Sequence, residues 1–489
     1  MGYLDNISWG ALITVFSTVG WYLLVFALIT RIVSQRKEAS ATLAWILIIA
    51  FVPVAGVLLY FLMGRTRVRR RTRKRLRSLC ELDPEKNKLP HRLSNCPHIV
   101  RALGTDESTD EITRVAMRVT DSPQLAGNSV EIYIATDDAY DSMEAAILNA
   151  RHHIHMMSYI FRSDQAGRRF RDLLVKKAKE GIEVRLLVDA VGSHQLDDSF
   201  MLIFENASGK FARFMPVLPL RPTWRPNLRN HRKILVVDGR VGFAGGLNIG
   251  DEYQGRKKKY APWRDTHMRV EGPAVWRLQE VFAEDWYFAT DEDLVGPKHF
   301  PQIESVGNEL IQVVDSGPDM PYETIHSVFF TAITESNKNV FITTPYFVPD
   351  PEVLMALKTA SWRGVDVRLL LPGKSDLKLI KLAGRSFYRE LLEAGIKLYE
   401  HRPGMLHAKT MVVDGKWATV GSANMDIRSF RLNFEVNILV RGSDFATRME
   451  EIFMHDIASA FELTNQIMEQ ESKVQRFAES LARVLSPVL

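Results

Sequence analysis

The feature that most constrains this chain of 489 residues is that it contains the same sequence blocks twice. Residues 181–189 and 364–372 read GIEVRLLVD and GVDVRLLLP. Residues 231–248 and 407–424 read HRKILVVDGRVGFAGGLN and HAKTMVVDGKWATVGSAN, and two shorter blocks, SYIF with PYFV and VFAEDW with IFMHDI, recur in the same order. Self-similarity in a fixed order indicates duplication of a structural unit. The sequence therefore predicts two similar domains.

Within each copy, short apolar runs typical of strands alternate with amphipathic helical segments. In the first copy, IHMMSYIF and VRLLV read as strands, and FRDLLVKKAKEG between them reads as a helix that ends at Gly181. Alternation of this kind places helices over the faces of a sheet. We expect an α/β fold of two repeated domains, each a mixed sheet flanked by helices.

The first 64 residues have a different composition from the rest. Residues 10–30 carry no charge, and 21 helical residues span roughly 30 Å, the thickness of a bilayer core. Residues 39–63 form a second uncharged stretch, with Pro53 in its middle. A cleaved signal peptide is disfavoured because the start is not basic and no A-x-A site follows. The pattern predicts a transmembrane helical hairpin, and Pro53 leaves open a kinked or a re-entrant second helix.

Charge is concentrated just after this hairpin. Nine basic residues lie in segment 65–77, and subtracting them from the net charge of +5 leaves −4 for the remainder. By the positive-inside rule, the cluster and the body after it should lie on the cytoplasmic side of a membrane that the chain crosses more than once. The two cysteines, Cys80 and Cys96, form no disulfide framework, which also favours a reducing compartment. The cluster is a stop-transfer signal or also a site for anionic lipid.

Each repeat carries the pattern H-x-K-x4-D. The two copies are His231, Lys233 and Asp238, and His407, Lys409 and Asp414. On a strand, residues two apart point to the same face, so the histidine and the lysine should project side by side. The aspartate precedes a glycine between two apolar runs, which is the signature of a type I′ hairpin turn. We therefore favour a structural role for both aspartates over a chemical one.

Small residues, an amide and a carboxylate follow each pattern. They are Gly246, Asn248 and Asp265 in the first copy, and Ser422, Asn424 and Glu435 in the second. Paired constellations suit a phosphodiester transfer, in which one neutral histidine attacks phosphorus and a protonated second one protonates the leaving oxygen. Lysines and amides can stabilise charge on the phosphoryl oxygens, and carboxylates can orient the imidazoles. This chemistry requires no metal or cofactor.

The doubled H-x-K-x4-D, each copy followed by G-G/S-x-N, resembles the signature of the phospholipase D superfamily. The N-terminal hairpin, TPYFVPD, PGMLHAK and GSANMDIRSFRLNFEVN extend the resemblance to bacterial cardiolipin synthases with two membrane spans. The resemblance implies transfer of a phosphatidyl group from one phosphatidylglycerol to another, with release of glycerol, at one active site shared by both repeats. It implies His231 as nucleophile and His407 as acid and base. It also implies that Asp265 and Glu435 orient the histidines and that the two lysines and two asparagines hold the phosphate.

These observations predict four segments. They are a hairpin over 1–64, a basic linker over 65–100, a first phospholipase D-like domain over 101–300 and a second over 301–489. The second ends in a helix with apolar residues at helical spacing: Leu463, Ile467, Val474, Phe477, Leu481 and Leu485. For this helix we favour packing on the body over contact with a membrane surface.

Three other functions remain to be separated. A phospholipase D hydrolase would share every motif, with water in place of the alcohol. A membrane-tethered nuclease is disfavoured because the body is not basic, so no nucleic-acid partner is expected. A non-catalytic scaffold would not explain two complete constellations. The sequence does not give the oligomeric state.

Overall fold

The computed structural model describes residues 9–34, 39–64, 110–120, 122–216, 227–294, 296–484 and 486. The basic segment 65–77 and both cysteines lie outside these residues. The chain divides into an N-terminal unit and a body.

The N-terminal unit holds three helices, α1 (Trp9–Ser34), α2 (Ala39–Phe51) and α3 (Pro53–Met63). Of the described helices, one is long and apolar enough to cross a membrane, over Ser17–Ser34. The second apolar stretch is broken at Val52, whose φ of −131° and ψ of 68° leave the helical region. A Cβ on Gly56 would lie 2.6 Å from the carbonyl oxygen of Ile48, eight residues earlier, so α3 folds back against α2. A second full span therefore remains a prediction.

The body contains the elements of both repeats. The first half holds α4 (Glu111–Thr120), β1 (Leu125–Tyr133), α5 (Thr136–Leu148), β2 (His153–Ser158), α6 (Gln165–Lys179), β3 (Glu183–Asp189), α7 (Asp198–Asn206), β4 (Lys210–Phe214), β5 (Arg229–Asn230), β6 (Ile234–Val237), β7 (Val241–Gly245), β8 (Trp263–Arg264), β9 (His267–Glu271) and α8 (Ala274–Thr290). The second half holds β10 (Glu309–Ser316), α9 (Thr324–Thr334), β11 (Asn339–Thr343), β12 (Phe347–Val348), α10 (Pro351–Trp362), β13 (Asp366–Lys374), α11 (Lys378–Arg385), α12 (Tyr388–Glu393), β14 (Lys397–Leu406), β15 (Thr410–Val413), β16 (Trp417–Gly421), β17 (Met425–Asp426), α13 (Ile427–Arg431), β18 (Asn433–Arg441), α14 (Ser443–Ala458), β19 (Phe461–Leu463), α15 (Asn465–Glu469) and α16 (Lys473–Val484).

The two halves form sheets with the same strand order. In the first, the order is β4–β3–β2–β6–β7–β9–β1, with β2, β3 and β4 parallel and the remaining pairs antiparallel. In the second, the order is β14–β13–β11–β15–β16–β18–β10, with the same parallel and antiparallel pairings. The start of β1 pairs with β10, which joins the sheets. The predicted repeat of mixed sheets is thereby confirmed.

The two sheets share one apolar core. Val236 and Val270 of the first sheet, Val412 and Ile438 of the second, and Trp286 of α8 belong to a single buried cluster. Each half also has one further apolar cluster beneath its outer helices. Because the shared cluster lies between the sheets, the ends of their strands are held in a fixed relation to one another.

The C-terminal helix α16 differs from our expectation. Val474, Phe477 and Leu481 were expected to pack on the body, yet their exposed fractions are 79, 70 and 57%. The buried residues of this helix are instead Glu479 and Ala482. The predicted helix is also shorter than expected, because Leu463 lies in β19 and Ile467 in the separate helix α15. From Val474 to Leu481 the helical spacing is confirmed, but the apolar stripe faces outward because the polar face is bound by the body.

Candidate active site

Each motif histidine is anchored to the repeat to which it does not belong. His231 follows β5, which pairs in parallel with β18 of the second repeat, and its N–H donates to the carbonyl of Phe434 at 2.9 Å. His407 follows β14, which pairs in parallel with β8 of the first repeat, and its N–H donates to the carbonyl of Arg264 at 2.7 Å. These exchanged strand contacts bring both histidines to the junction of the domains.

The carboxylates are exchanged in the same way. Nδ1 of His231 lies 3.0 Å from Oε2 and 3.1 Å from Oε1 of Glu435, in the second repeat. Nδ1 of His407 lies 2.7 Å from Oδ2 of Asp265, in the first repeat. All four side chains are buried. With Nδ1 directed to a carboxylate, Nε2 is the nitrogen of each ring that remains for a substrate.

Burial governs the protonation of these pairs. It lowers the pKa of His231 to about 4, although the charge of Glu435 opposes the shift. Burial also lowers the pKa of His407, with Lys409 adding to the effect and Asp265 opposing it. Burial alone would raise the pKa of both carboxylates, but the facing histidines and lysines hold these pKa values below the usual range. The carboxylates therefore stay ionised, and His231 is neutral at pH 7.

The two lysines supply positive charge inside this buried site. Nζ of Lys233 donates to the carbonyl of His231 at 2.6 Å, and Nζ of Lys409 donates to the carbonyl of His407. Burial lowers the pKa of Lys233 to about 7 and that of Lys409 to about 8, against the raising effect of the carboxylates. A bound anion would restore both charges, since it compensates for lost hydration.

The small residues before the asparagines make room for the carboxylates or bind them. A Cβ on Gly246 would lie 1.9 Å from Oδ1 of Asp265, so only glycine leaves this carboxylate in place. The equivalent Ser422 instead donates its hydroxyl to Oε2 of Glu435 at 2.5 Å. Both residues thus act through the carboxylate beside them.

A cavity of about 350 Å³ joins the motifs, and it is lined by both histidines and both asparagines. Oδ1 of Asn248 accepts the N–H of Ile160 at 3.1 Å, which leaves its NH₂ group for the cavity. Oδ1 of Asn424 is buried and accepts no hydrogen bond. The site thus offers donors and an unused acceptor around two imidazoles.

The structure does not bring Asp238 and Asp414 to the histidines. Both lie in hairpin turns with positive φ, 55° and 56°. The carboxylate of Asp238 accepts three backbone N–H groups, at 2.8–2.9 Å, from residues 151–153. That of Asp414 accepts those of residues 337–339. Both carboxylates are occupied in tying a hairpin to the start of a neighbouring strand, which is the structural role favoured from the sequence and leaves neither aspartate a catalytic one.

Several residues that line the cavity were not among the site residues predicted from the two motifs. Tyr159 and Tyr346 both line the cavity, and Tyr159 packs on His231 with ring centroids 4.8 Å apart. They occupy matching positions in the repeated blocks SYIF and PYFV, so the repeat itself carried the signal. Arg229 and Arg428 also line the cavity, and no repeated block marks either.

One group among the described residues has the spacing of a metal site, and it lies outside the cavity lining. It consists of His326, Asp350 and Glu352. Nε2 of His326 is already 2.8 Å from Oδ2 of Asp350, and Arg431 is 3.6 Å from the same oxygen. His326, Asp350 and Arg431 therefore form an ion-pair network.

Comparisons with known proteins identify the family and the fold. A family described as "Cardiolipin synthase, PLD-like domain" matches residues 143–286 and 329–457, and one described as "Phospholipase_D-nuclease N-terminal" matches residues 23–65. The chain is 38% identical to a cardiolipin synthase of Geobacillus kaustophilus, over 99% of this chain and 96% of that protein. It is 36% identical to cardiolipin synthase 1 of Bacillus anthracis, over 100 and 96%. In fold it resembles the crystal structure of phosphatidylserine synthase from Haemophilus influenzae, with a TM-score of 0.57, 14% identity, and coverage of 78% of this chain and 100% of that chain.

Proposed function

The chain belongs to the cardiolipin synthase family of phospholipase D-like proteins, and from this premise we propose that it joins two molecules of phosphatidylglycerol into cardiolipin and glycerol. The observation that carries the proposal is the crossed pairing of His231 with Glu435 and of His407 with Asp265 around one cavity. Two imidazoles held in this way provide a nucleophile and an acid on opposite sides of a phosphodiester.

In the first half-reaction, Nε2 of His231 attacks phosphorus of the donor lipid. The bond from phosphorus to the glycerol headgroup breaks, and the departing oxygen takes a proton from Nε2 of His407. Glycerol leaves, and the phosphatidyl group remains on His231. Lys233, Lys409 and the asparagine amides stabilise negative charge on the two non-bridging oxygens.

In the second half-reaction, His407 is the base. It takes the proton of the terminal hydroxyl of a second phosphatidylglycerol, and that oxygen attacks phosphorus. The bond from phosphorus to His231 breaks, and cardiolipin is formed. His407 regains the proton it gave to glycerol, so the cycle balances without a further reactant.

Burial lowers the pKa of both histidines, so the division rests on the value for His231 and on the contact that His407 makes with its carboxylate. Burial lowers the pKa of His231 to about 4, so this imidazole is unprotonated and nucleophilic near neutral pH. The shorter contact is the one from His407 to Asp265, at 2.7 Å against 3.0 Å for the other pair. Shorter contacts are typical of charge-assisted bonds, which suits an imidazolium at His407.

The reaction is tested by incubating the full chain in nanodiscs with phosphatidylglycerol and following the lipids by mass spectrometry. We expect cardiolipin and free glycerol in equal amounts, and neither from His231→Ala. Phosphatidic acid without cardiolipin would mean that water is the acceptor, and the hydrolase would replace the transferase.

The roles of the histidines are tested with a donor whose leaving group needs no proton, such as phosphatidyl-p-nitrophenol. In His407→Ala, we expect p-nitrophenol release in a single burst and a phosphatidyl group trapped on His231. His231→Ala should release none. The opposite result would exchange the two assignments.

We further propose that the chain is an integral protein of the bacterial cytoplasmic membrane, anchored through residues 1–64 as a hairpin, with linker 65–100 and domains 101–300 and 301–489 in the cytoplasm. Support comes from the apolar helix over Ser17–Ser34 and from the basic cluster that follows the second apolar stretch. A cysteine introduced at position 2 should be protected from an impermeant reagent if both apolar stretches cross. Labelling there would mean one span and a re-entrant α2–α3 pair.

A further inference from the structure

The outward face of the C-terminal helix α16 and the start of α11 form an exposed apolar surface on the body. We call it the α11–α16 surface, and it comprises Leu377, Leu379, Val474, Phe477, Leu481 and Val484. Their exposed fractions run from 42% at Leu379 to 79% at Val474. The four residues of α16 are three or four positions apart, so they lie along one side of the helix.

The opposite side of α16 is fixed to the body by polar contacts. Glu479 is 95% buried, and its Oε1 lies 3.0 Å from Nε of Arg385 in α11. Arg483 donates to the carbonyl of Ser386 at 3.4 Å and lies over the ring of Phe387. The helix is therefore held with its polar side inward, and the apolar stripe is presented to whatever lies outside.

The charged residues of these two helices are almost all basic. Helix α11 contributes Lys378, Lys381 and Arg385, and α16 contributes Lys473, Arg476 and Arg483. The one acidic residue in either helix is Glu479, which is buried against Arg385. Lys378, Lys473 and Arg476 are exposed beside the apolar residues. An apolar stripe bordered by cations suits the boundary between acyl chains and anionic headgroups.

This surface continues into the catalytic cavity. Leu377 belongs to the surface and lines the cavity as well, together with Ile380 from the next turn of α11. Just before them, Asp376 accepts the hydroxyl of Tyr346 at 2.8 Å, which ties this segment to the wall of the site. The apolar side chains of Leu377, at the cap of α11, and of Ile380 thus line the same cavity as the two histidines.

We propose that the α11–α16 surface lies on an anionic phospholipid bilayer and that lipid enters the site over Leu377 and Ile380. The inference rests on the proposed function, since it names how the same site meets its bilayer substrate. A bilayer is the occupant because apolar, basic and cavity-lining residues follow one another along a single surface. A second copy of this chain is a poorer occupant, because the exposed basic residues of the two copies would face and repel each other.

Kinetics with two physical forms of one substrate test the proposal. The full-length variant Phe477→Ser/Leu481→Ser is compared with wild type on phosphatidylglycerol vesicles and on a short-chain phosphatidylglycerol dispersed as monomers. We expect kcat/KM to fall at least tenfold on vesicles and to stay within twofold on monomers. The matched control is Leu202→Ser/Ile203→Ser on α7, where both residues are about half exposed, at 52 and 49%. It should match wild type on both forms.

Each other result has a definite reading. Equal loss on both substrates would mean a structural role for α16, and no loss on vesicles would mean that the surface does not touch lipid; either overturns the inference. Wild type that makes no cardiolipin from either form would instead refute the proposed function.

A measurement independent of activity keeps the two proposals separate. In a Cys80→Ser/Cys96→Ser background, an environment-sensitive fluorophore is attached at Phe477→Cys, with Leu202→Cys as control. Nitroxide-labelled lipids in the nanodisc should quench the label at position 477 and not that at 202. A blue shift without quenching, together with a disulfide between two copies at position 477, would assign the surface to a dimer and overturn the bilayer contact.

Discussion

Replacing Glu435 by glutamine tests the crossed pairing directly, because it removes one charge and keeps the shape. In the structure, both oxygens of Glu435 accept hydrogen bonds. Oε2 faces Ser422 and His231, at 2.5 and 3.0 Å, and Oε1 faces His231 and Asn433, each at 3.1 Å. Either orientation of a glutamine amide turns its NH₂ group toward one of these donors.

The size of the effect follows from that geometry. A hydrogen bond to a charged group contributes about 1.5–3 kcal/mol, which corresponds to a loss of about 10- to 150-fold in rate. We expect Glu435→Gln to lower kcat by this factor with little change in KM, because Glu435 orients His231 rather than binding the lipid. An exposed carboxylate in the same repeat, Glu462, provides the control variant Glu462→Gln.

A comparison of two donor lipids with different leaving groups shows which histidine each carboxylate orients. Glu435→Gln should slow formation of the phosphohistidine from phosphatidylglycerol and from phosphatidyl-p-nitrophenol alike, since both need the nucleophile. Asp265→Asn should slow the first and spare the second, since p-nitrophenolate leaves without a proton. The inverse pattern would mean that each carboxylate serves the histidine of its own repeat or that the histidine roles are exchanged, and the reasoning given above would fail.

Three further changes have defined outcomes. Gly246→Ala places a Cβ 1.9 Å from Oδ1 of Asp265, so we expect it to match Asp265→Asn in kcat while the thermal midpoint falls only slightly. Asp238→Ala leaves three backbone N–H groups without their acceptor, which should cost about 2–3 kcal/mol in the free energy of unfolding and leave kcat of the folded protein unchanged. Because the pKa values of Lys233 and Lys409 are lowered to about 7 and 8, and that of the proposed acid His407 is lowered as well, all three groups lose charge as pH rises, so kcat/KM should decline as pH rises toward and above 7. The decline of kcat should occur at higher pH, since bound phosphate favours the ammonium form, and a flat kcat/KM up to pH 9.5 would contradict this account.

The repeat made much of the fold predictable. Strand order is encoded locally, by apolar runs and by the Asp-Gly turns, and duplication applies the same order to both halves. The positive φ values of Asp238 and Asp414 agree with the predicted type I′ turns. The pairing of carboxylates with histidines was not predictable, because Asp265 and His407 are 142 residues apart and meet only when the sheets pack.

The apolar periodicity also did not determine which face of α16 packs on the body. The spacing of Val474, Phe477 and Leu481 indicates an apolar stripe, but a stripe faces the core only if nothing else binds the opposite side. Here Arg385 binds Glu479 and turns the polar side inward. That contact joins residues 94 positions apart, and spacing along the helix carries no trace of it.

The two halves differ where their proposed roles differ. Oε2 of Glu435 accepts a hydrogen bond from Ser422 and also faces His231, and Oε1 accepts one from Asn433. A carboxylate occupied in this way draws the Nδ1 proton weakly, which suits a histidine that must stay neutral to attack phosphorus. Asp265 accepts the N–H of Thr266 on Oδ1, while Oδ2 faces His407. Glycine at 246 adds no hydroxyl that would compete for Asp265, although Nζ of Lys409 lies 2.9 Å from Nδ1 of His407. We propose that this difference between the repeats, Gly246 against Ser422, leaves Asp265 with one competing donor fewer than Glu435 and so contributes to the proposed division of roles between the histidines.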